Sequence, residues 1–247
     1  MREARRGMLG SWGIAWLAVA APAGLAAAAD PAPAVDVEAR AIVLRAIEVA
    51  GGREALQHTA TLRWTGDAVV HAAGASLDIR VRTVAHPFDA AHSESWLRSE
   101  GPAHLRVLHI DAGGGWIERD GRRMPMPPAV LLHERQQYAL YGLMRLLPLL
   151  DGGVILRRLP AGADGLVGLH VEHPAAPPAD LLFDVSGRLR AIDDRVADPD
   201  GGPPIAQHIE LGGRAPGAAF RWPRTVRILQ NGAPYFELSI RHLSAGD

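Results

Sequence analysis

The feature that most constrains this chain is the change in the spacing of its apolar residues after the glycine pair at 51–52. Up to about Val49 these residues recur at helical spacing, in a segment that Asp36 can cap. From Leu62 to Val70 and again from Leu77 to Val81, apolar residues alternate with mainly polar ones, which is the period of a half-buried strand. The pattern predicts a helix followed by a sheet.

The first helix is expected to bury one stripe of apolar side chains. The members of this stripe are Val37, Ala41, Leu44, Ala46 and Ile47. The glycine pair then ends the helix, because glycine readily takes the positive φ that a helix terminus needs.

Further strand-like segments follow at short intervals through the rest of the chain. They cover residues 93–99, 104–111, 115–119, 154–159, 166–173, 181–185, 189–194, 205–211, 221–229 and 235–242. The last two are joined through Asn231-Gly232, a sequence typical of a two-residue hairpin turn. Because the strands do not alternate with helices, we expect a mainly β chain of the α+β class with an antiparallel sheet.

One segment in the middle of the chain is expected to be helical instead. It runs from Pro128 to about Leu147, and Pro148 ends or kinks it. Its apolar face comprises Leu132, Gln136, Leu140, Leu143, Met144 and Leu147. The helix is either a plain core helix or a lid over a cavity that holds a hydrophobic ligand.

The first 29 residues have the layout of a secretory signal peptide. Its parts are the basic residues Arg2, Arg5 and Arg6, the apolar run from Met8 to Ala21, and the alanines at 27–29. We expect residues 1–29 to be removed near Ala29, leaving residues 30–247 as a single periplasmic domain without an integral membrane segment. The pair Arg5-Arg6 leaves open whether export follows the general or the twin-arginine route.

The composition disfavours several functions. The chain has no cysteine, so it forms no disulfide or thiolate metal site, and its net charge of −1 with interspersed signs predicts no nucleic-acid partner. The tightest histidine pair, His170 and His173, is three residues apart on an expected strand, so the two rings point to opposite faces. We therefore expect no metal site and no cofactor. The G-x-S-x-G motif is missing as well, and we expect the chain not to be an enzyme.

Several short segments occur in an order that is informative. Residues 51–56, GGREAL, follow the first helix and lead into residues 60–66, ATLRWTG. His86-Pro87-Phe88 follows the second strand, residues 111–119 contain Gly115-Trp116, and residues 183–189 read FDVSGRL. Together with the export signal, these segments resemble exported proteins related to the LolA and LolB lipoprotein-localisation factors.

The resemblance implies an incomplete β-barrel, in which helices close the apolar concave side of a strongly curved antiparallel sheet. In that family the cavity shields lipoprotein acyl chains from water. Each CH₂ group of such a chain that is exposed to water costs about 0.8 kcal/mol. The resemblance thus implies a monomeric periplasmic carrier or binding protein for a lipid or for lipoprotein acyl chains, with an envelope protein as a further partner. His86 stands where the carrier has an arginine thought to hold its lid shut, and the hairpin at 220–242 is additional, so we expect a specialised relative.

The expected ligand-binding residues lie on the second helix and on the early strands. The inner face of the lid would comprise Leu140, Leu143, Met144 and Leu147, and the opposite wall Trp64, Ile79, Trp96 and Trp116. In the alternative, the helix packs the sheet solid and the chain is a non-catalytic structural or interaction module of the cell envelope. An apolar hollow of roughly several hundred Å³ beneath the helix favours the carrier, whereas a filled core favours the module.

Overall fold

The computed structural model describes residues 36–72, 74–162 and 165–246. The expected signal peptide and its cleavage position lie outside these residues. The α-helices are α1 (Val37–Ala50), α2 (Gly52–Gln57) and α3 (Pro128–Met144), and short 3-10 helices cover Gly101–His104 and Leu147–Leu150. None of the described helices is both long enough and apolar enough to cross a membrane.

The described strands form one sheet in which neighbouring strands pair antiparallel. The strands are β1 (Thr61–Ala72), β2 (Ala75–His86), β3 (Ala90–Leu97), β4 (Arg106–Asp111), β5 (Gly114–Arg119), β6 (Arg122–Pro125), β7 (Ile155–Arg158), β8 (Val167–Glu172), β9 (Ala179–Phe183), β10 (Leu189–Val196), β11 (Ile205–Gly212), β12 (Thr225–Gln230) and β13 (Ala233–Gly246). This architecture confirms the curved antiparallel sheet of an α+β chain.

The strand order across the sheet is β6-β5-β4-β3-β2-β1-β13-β12-β11-β10-β9-β8-β7. The sheet is open, because β6 and β7 are its two edges and do not pair with each other. The first and last strands of the chain are neighbours in the middle of the sheet, and α3 lies in the segment that connects the two edge strands.

Helix α1 begins and ends as expected, but it buries a different stripe. The Asp36 carboxylate accepts a hydrogen bond from the backbone N–H of Ala39 at 2.9 Å, and Gly51 ends the helix with a φ of 126°. Val37, Ala41 and Leu44 are exposed, so their assignment to the buried stripe was wrong. The buried residues are Ala39, Val43, Ala46, Ile47 and Ala50. Three alanines in this set allow the helix backbone to approach its neighbours closely.

Helix α3 ends at Met144, three residues before the expected end. Leu146 has a φ of 65°, which no α-helix can continue through, and Pro148 lies in the 3-10 helix that follows. Leu140 and Leu143 are buried in a core cluster that also includes residues of α1 and of strands from both halves of the sheet. Leu132 was expected on this buried face and is instead about half exposed.

Candidate functional site

A cavity of about 660 Å³ lies between helix α3 and the concave face of the sheet. Its volume falls within the roughly 300–1,000 Å³ that is typical of small-molecule sites. Strands β1 to β5, β12 and β13 contribute to its walls. The residues that α3 contributes are His133, Glu134, Gln137, Tyr138 and Tyr141.

One part of the cavity wall is apolar. It comprises Trp64, Val70, Ile79, Val81, Leu108, Ile228, Phe236 and Leu238. Trp64 packs against Tyr141 of α3, with 5.1 Å between the ring centroids and an angle of 44° between the ring planes. This contact joins the helix to the central strand β1 at the cavity. Each Å² of apolar ligand surface that leaves water for such a wall contributes about 25 cal/mol to the free energy of binding.

Another part of the wall, on strands β2 to β5, is polar. Thr83 and Ser93 are paired across β2 and β3, and their hydroxyl oxygens are 2.8 Å apart. Two residues further along β3, Ser95 pairs with Arg106 of β4, and Arg106 pairs with Arg119 of β5. All five side chains belong to the cavity lining. The cavity is therefore amphipathic rather than uniformly apolar.

The cavity opens between the turns at one end of the sheet. The exposed residues that line it there are Leu77, Glu100, His104, Arg119 and Asp120. His104 Nδ1 lies 3.3 Å from a carboxylate oxygen of Asp120. A ligand that enters through this mouth meets charged groups first and the Trp64 region afterwards.

Ionisable groups of α3 face the cavity and are perturbed by burial. Burial raises the pKa of the Glu134 carboxyl, while the positive charges of Arg106 and His133 oppose this rise. Burial and the nearby Glu134 carboxyl also raise the pKa of Tyr138, and they raise the pKa of Tyr141 to about 12. Both tyrosine hydroxyls are therefore protonated hydrogen-bond donors at neutral pH.

Three of the eight sequence-predicted site residues line this cavity, namely Trp64, Ile79 and Trp96. Trp96 pairs with Arg80 in the sheet register, whereas Ile79 pairs with Leu97, so Trp96 belongs to the face opposite Ile79. Trp96 also lines a shallower depression on that outer face. It thus lies at the border of the cavity rather than in its apolar wall.

Trp116 lies outside the cavity lining. It pairs with His109 of β4, and the two rings stack with centroids 5.1 Å apart on the outer face. The guanidinium carbon of Arg123 lies 3.7 Å from the centre of the Trp116 ring. The neighbouring Ile117 pairs with the cavity residue Leu108 and faces inward instead.

The four predicted lid residues also lie outside the cavity lining. Leu140, Leu143 and Met144 are buried in the core, and Leu147 packs against that core beyond the end of α3. The most apolar face of α3 is therefore the one that packs solid. The face toward the cavity carries Glu134, Gln137, Tyr138 and Tyr141, which have helical spacing but mixed polarity.

A cluster of three polar side chains is buried on strands β10 to β12, away from this cavity. Asp194 pairs with Gln207, and Gln207 pairs with Gln230. Both Asp194 carboxylate oxygens, both polar side-chain atoms of Gln207 and the Gln230 amide nitrogen lack a hydrogen-bond partner among the described residues. Burial, with a smaller contribution from Asp193, raises the pKa of Asp194 to about 7.

The expected strand histidines His170 and His173 make separate contacts. His170 Nδ1 lies 2.6 Å from a carboxylate oxygen of Asp180 on the neighbouring strand. The His173 ring stacks on Phe88, with 4.4 Å between the centroids. Within the described part of the chain, no three His, Asp or Glu side chains are placed to hold a metal ion.

Comparison with known proteins identifies the fold. No protein-family model and no curated protein matches the chain. Among solved structures, a LolA superfamily protein of Nitrosomonas europaea is similar, with a TM-score of 0.52, 10% identity and coverage of 85% of this chain and 94% of that one. A DUF1329 family protein of Desulfovibrio piger is similar with a TM-score of 0.53 and 8% identity, over 84% of this chain and 92% of that one. The expected LolA-like fold is thus confirmed.

Proposed function

Starting from this LolA-like fold, we propose that the chain is an exported periplasmic carrier or binding protein for a lipid or a lipidated protein, and that it holds acyl chains in the cavity beneath α3. The observation that carries the proposal is the 660 Å³ cavity with an apolar wall centred on Trp64 and Tyr141. Each CH₂ group that leaves water for such a wall contributes about 0.8 kcal/mol. A single alkyl chain of ten carbons therefore gains several kcal/mol on entry.

Export belongs to the same proposal. A carrier of this kind works where acyl chains must cross an aqueous compartment, and the signal-like residues 1–29 supply the route to the periplasm. We propose that the mature protein begins near Asp30 and comprises the single domain 30–247.

We also propose that the protein acts by binding and not by catalysis. His133 is the histidine of α3 that lines the cavity, and both of its ring nitrogens have neighbours. Nδ1 lies 2.7 Å from the Ala197 carbonyl oxygen, to which it donates, and Nε2 lies 3.4 Å from the Gln137 amide nitrogen. With Nδ1 protonated, Nε2 is the ring nitrogen that would act as a general base, and the Gln137 amide faces its lone pair.

The test is titration of the mature protein with a fluorescent fatty-acid probe. Ser95 lines the cavity on β3, so Ser95→Trp should fill part of the space and weaken probe binding at least tenfold. Ser239→Trp is the matched control, because Ser239 lies on β13 between the inward residues Leu238 and Ile240 and lines an outer depression. Saturable binding that Ser95→Trp weakens and Ser239→Trp leaves unchanged supports the carrier.

A second candidate function is a non-catalytic structural or interaction module of the cell envelope. The observation that favours it is the filled core beneath Leu140 and Leu143, since the hollow lies under a different face of α3. If the unmodified protein shows no saturable probe binding, the module is the better description. In that case, probe fluorescence should be the same with Ser95→Trp as with the unmodified protein, and the probe should stabilise neither of them.

A further inference from the structure

Arg106 of the cavity differs in its partners from several arginines of the outer face. On the outer face, Arg80 and Arg241 both contact the Asp67 carboxylate, and Arg82 contacts Glu94. Arg106 lines the cavity, is half-buried, and makes no side-chain hydrogen bond or ion pair within 4.0 Å among the described residues. The cavity thus contains a guanidinium without a direct ion-pair partner, and the Glu134 carboxyl is the acidic group near enough to interact with its charge.

A purely apolar ligand would fit poorly beside Arg106. An alkyl chain that fills the cavity removes water from the guanidinium without replacing its hydrogen bonds, which is unfavourable for a charged group. An anion restores these hydrogen bonds, and a planar guanidinium binds carboxylates and phosphates in a bidentate manner.

Other side chains near Arg106 fit the same ligand chemistry. Ser95 and Arg119 are its cross-strand neighbours and also line the cavity, so a hydroxyl and a second cation flank it. Glu134 of α3 is the nearby carboxyl; burial raises its pKa, which reduces its repulsion of an anion, while the charges of Arg106 and His133 act in the opposite direction. Tyr138 supplies a further donor. The charged residues of the mouth, Glu100 and Asp120 as well as Arg119, are exposed, where solvent and salt screen their charges, so Arg106 is the cation that carries the argument.

We propose that the ligand of this cavity is an amphiphile with an anionic head group, a carboxylate or a phosphate, that binds to Arg106 inside the cavity while its apolar tail lies against the wall formed by Trp64, Phe236 and Leu238. The proposal rests on the proposed binding function and narrows its ligand class. It places the head group inside the cavity, at the polar wall of β3 and β4, and not in solvent.

The test compares four ligands with the same tail: decanoate, decyl phosphate, decanol and decylammonium. Binding to the mature protein is measured by calorimetry at neutral pH and below the micelle concentration of each ligand. A charge-assisted hydrogen bond corresponds to about 10- to 100-fold in affinity, so at least one of the two anions should bind about that much more tightly than decanol. Which anion binds more tightly distinguishes a carboxylate ligand from a phosphate head group.

Variants of Arg106 test whether this preference comes from the proposed residue. Arg106→Gln should bring anion affinity down to that of decanol and leave decanol affinity within about twofold, and Arg106→Lys should keep most of the preference. Arg63→Gln is the matched control, because Arg63 is an exposed strand arginine outside the cavity lining. Melting curves of each variant confirm that it is folded.

The outcomes separate this inference from the function on which it rests. If none of the four ligands binds, the carrier function itself is wrong. If decanol binds as tightly as both anions, or if Arg106→Gln keeps the preference, the cavity binds lipids but the anionic head group is wrong. Tightest binding of decylammonium overturns the inference as well, because Glu134 would then be the ionised partner of the head group.

Discussion

The ring of Phe88 lies directly against the backbone of Gly142 in helix α3. A Cβ atom at position 142 would be 2.2 Å from the Cζ atom of Phe88, far inside van der Waals contact. Phe88 belongs to the turn between β2 and β3, has a φ of 81°, and stacks on His173 from the other half of the sheet. This turn therefore holds the C-terminal half of α3 against the sheet. His86, two residues before Phe88, has its Nδ1 atom 3.0 Å from the Thr61 hydroxyl.

We first predict that Gly142→Ala destabilises the protein by about 1–3 kcal/mol, because the added methyl group overpacks against Phe88. This should occur although alanine is favoured over glycine in a helix by about 1 kcal/mol. Urea unfolding of the variant measures the change. Gly152→Ala is the control, since no atom lies within 4 Å of a Cβ at that position.

The clash can be assigned to Phe88 by a double-mutant cycle. In a Phe88→Ala background, Gly142→Ala should be neutral or stabilising, because the ring is gone and the helix propensity of alanine remains. An equal loss of stability in both backgrounds would show that another neighbour of Gly142 is responsible.

Our second prediction concerns the packed face of α3. Leu143 is fully buried, so Leu143→Ala should cost about 2–5 kcal/mol of unfolding free energy, and Leu143→Asp should abolish the cooperative transition. Leu132→Ala on the same helix is the control and should cost far less, because Leu132 is about half exposed. Since Leu143 is outside the cavity lining, folded Leu143→Ala protein should bind the fluorescent probe normally. Normal stability of Leu143→Asp would contradict the packing described above.

A third prediction follows from the buried carboxyl of Asp194. Its pKa is raised from 3.8 to about 7 by burial, so the folded state binds more protons than the unfolded state between pH 4 and 7. The free energy of unfolding should therefore fall as the pH rises through this window. Above pH 7, ionisation of Asp194 should lower it by up to about 4 kcal/mol relative to its value near pH 4.

Asp194→Asn tests this pH dependence. The variant should unfold at a similar urea concentration to the original protein near pH 4 and at a clearly higher one at pH 8, because asparagine carries no charge to bury. Asp200→Asn, at an exposed position, should follow the original protein at both pH values. A constant difference between Asp194→Asn and the original protein across this range would argue against an ionised Asp194 at high pH.

The fourth prediction concerns export. Deletion of residues 2–29 should retain the protein in the cytoplasm, because the basic start, apolar run and alanine site are then lost. N-terminal sequencing of the full-length chain recovered from the periplasm should read from near Asp30. An intact Met1 in that fraction would refute cleavage.

Periodicity predicted most of the strands and missed one. The alternation in β1 and β2 reflects one buried and one exposed face, which makes such strands visible in the sequence. Strand β6 covers only Arg122–Pro125, and all four of its residues are exposed, so it leaves no alternating pattern. Its existence depends on pairing with β5, which the local sequence does not reveal.

The candidate site was less predictable because alternation does not say which face is inside. Trp96 and Trp116 are apolar residues on strands, but the strand register places their side chains on the outer face. The next residues, Leu97 and Ile117, face inward. On α3, hydrophobicity identifies the face that packs solid. A helix face that lines a cavity needs fewer apolar side chains. Tyr138 and its neighbours therefore form a mixture of polar and aromatic residues that the sequence alone does not mark as a site.

The order of strands in the sheet determines when the protein can finish folding. Strand β1 gains its second partner only from β13, which follows more than 150 residues later, so the growing polypeptide has a free β1 edge until β13 has been synthesised. Unpaired edges of this kind recruit other strands and promote aggregation, and long-range pairings form slowly. The free β1 edge of a newly synthesised chain is therefore exposed to aggregation until β13 pairs with it. Loss of β13 would leave β1 and β12, in the middle of the sheet, each without one partner.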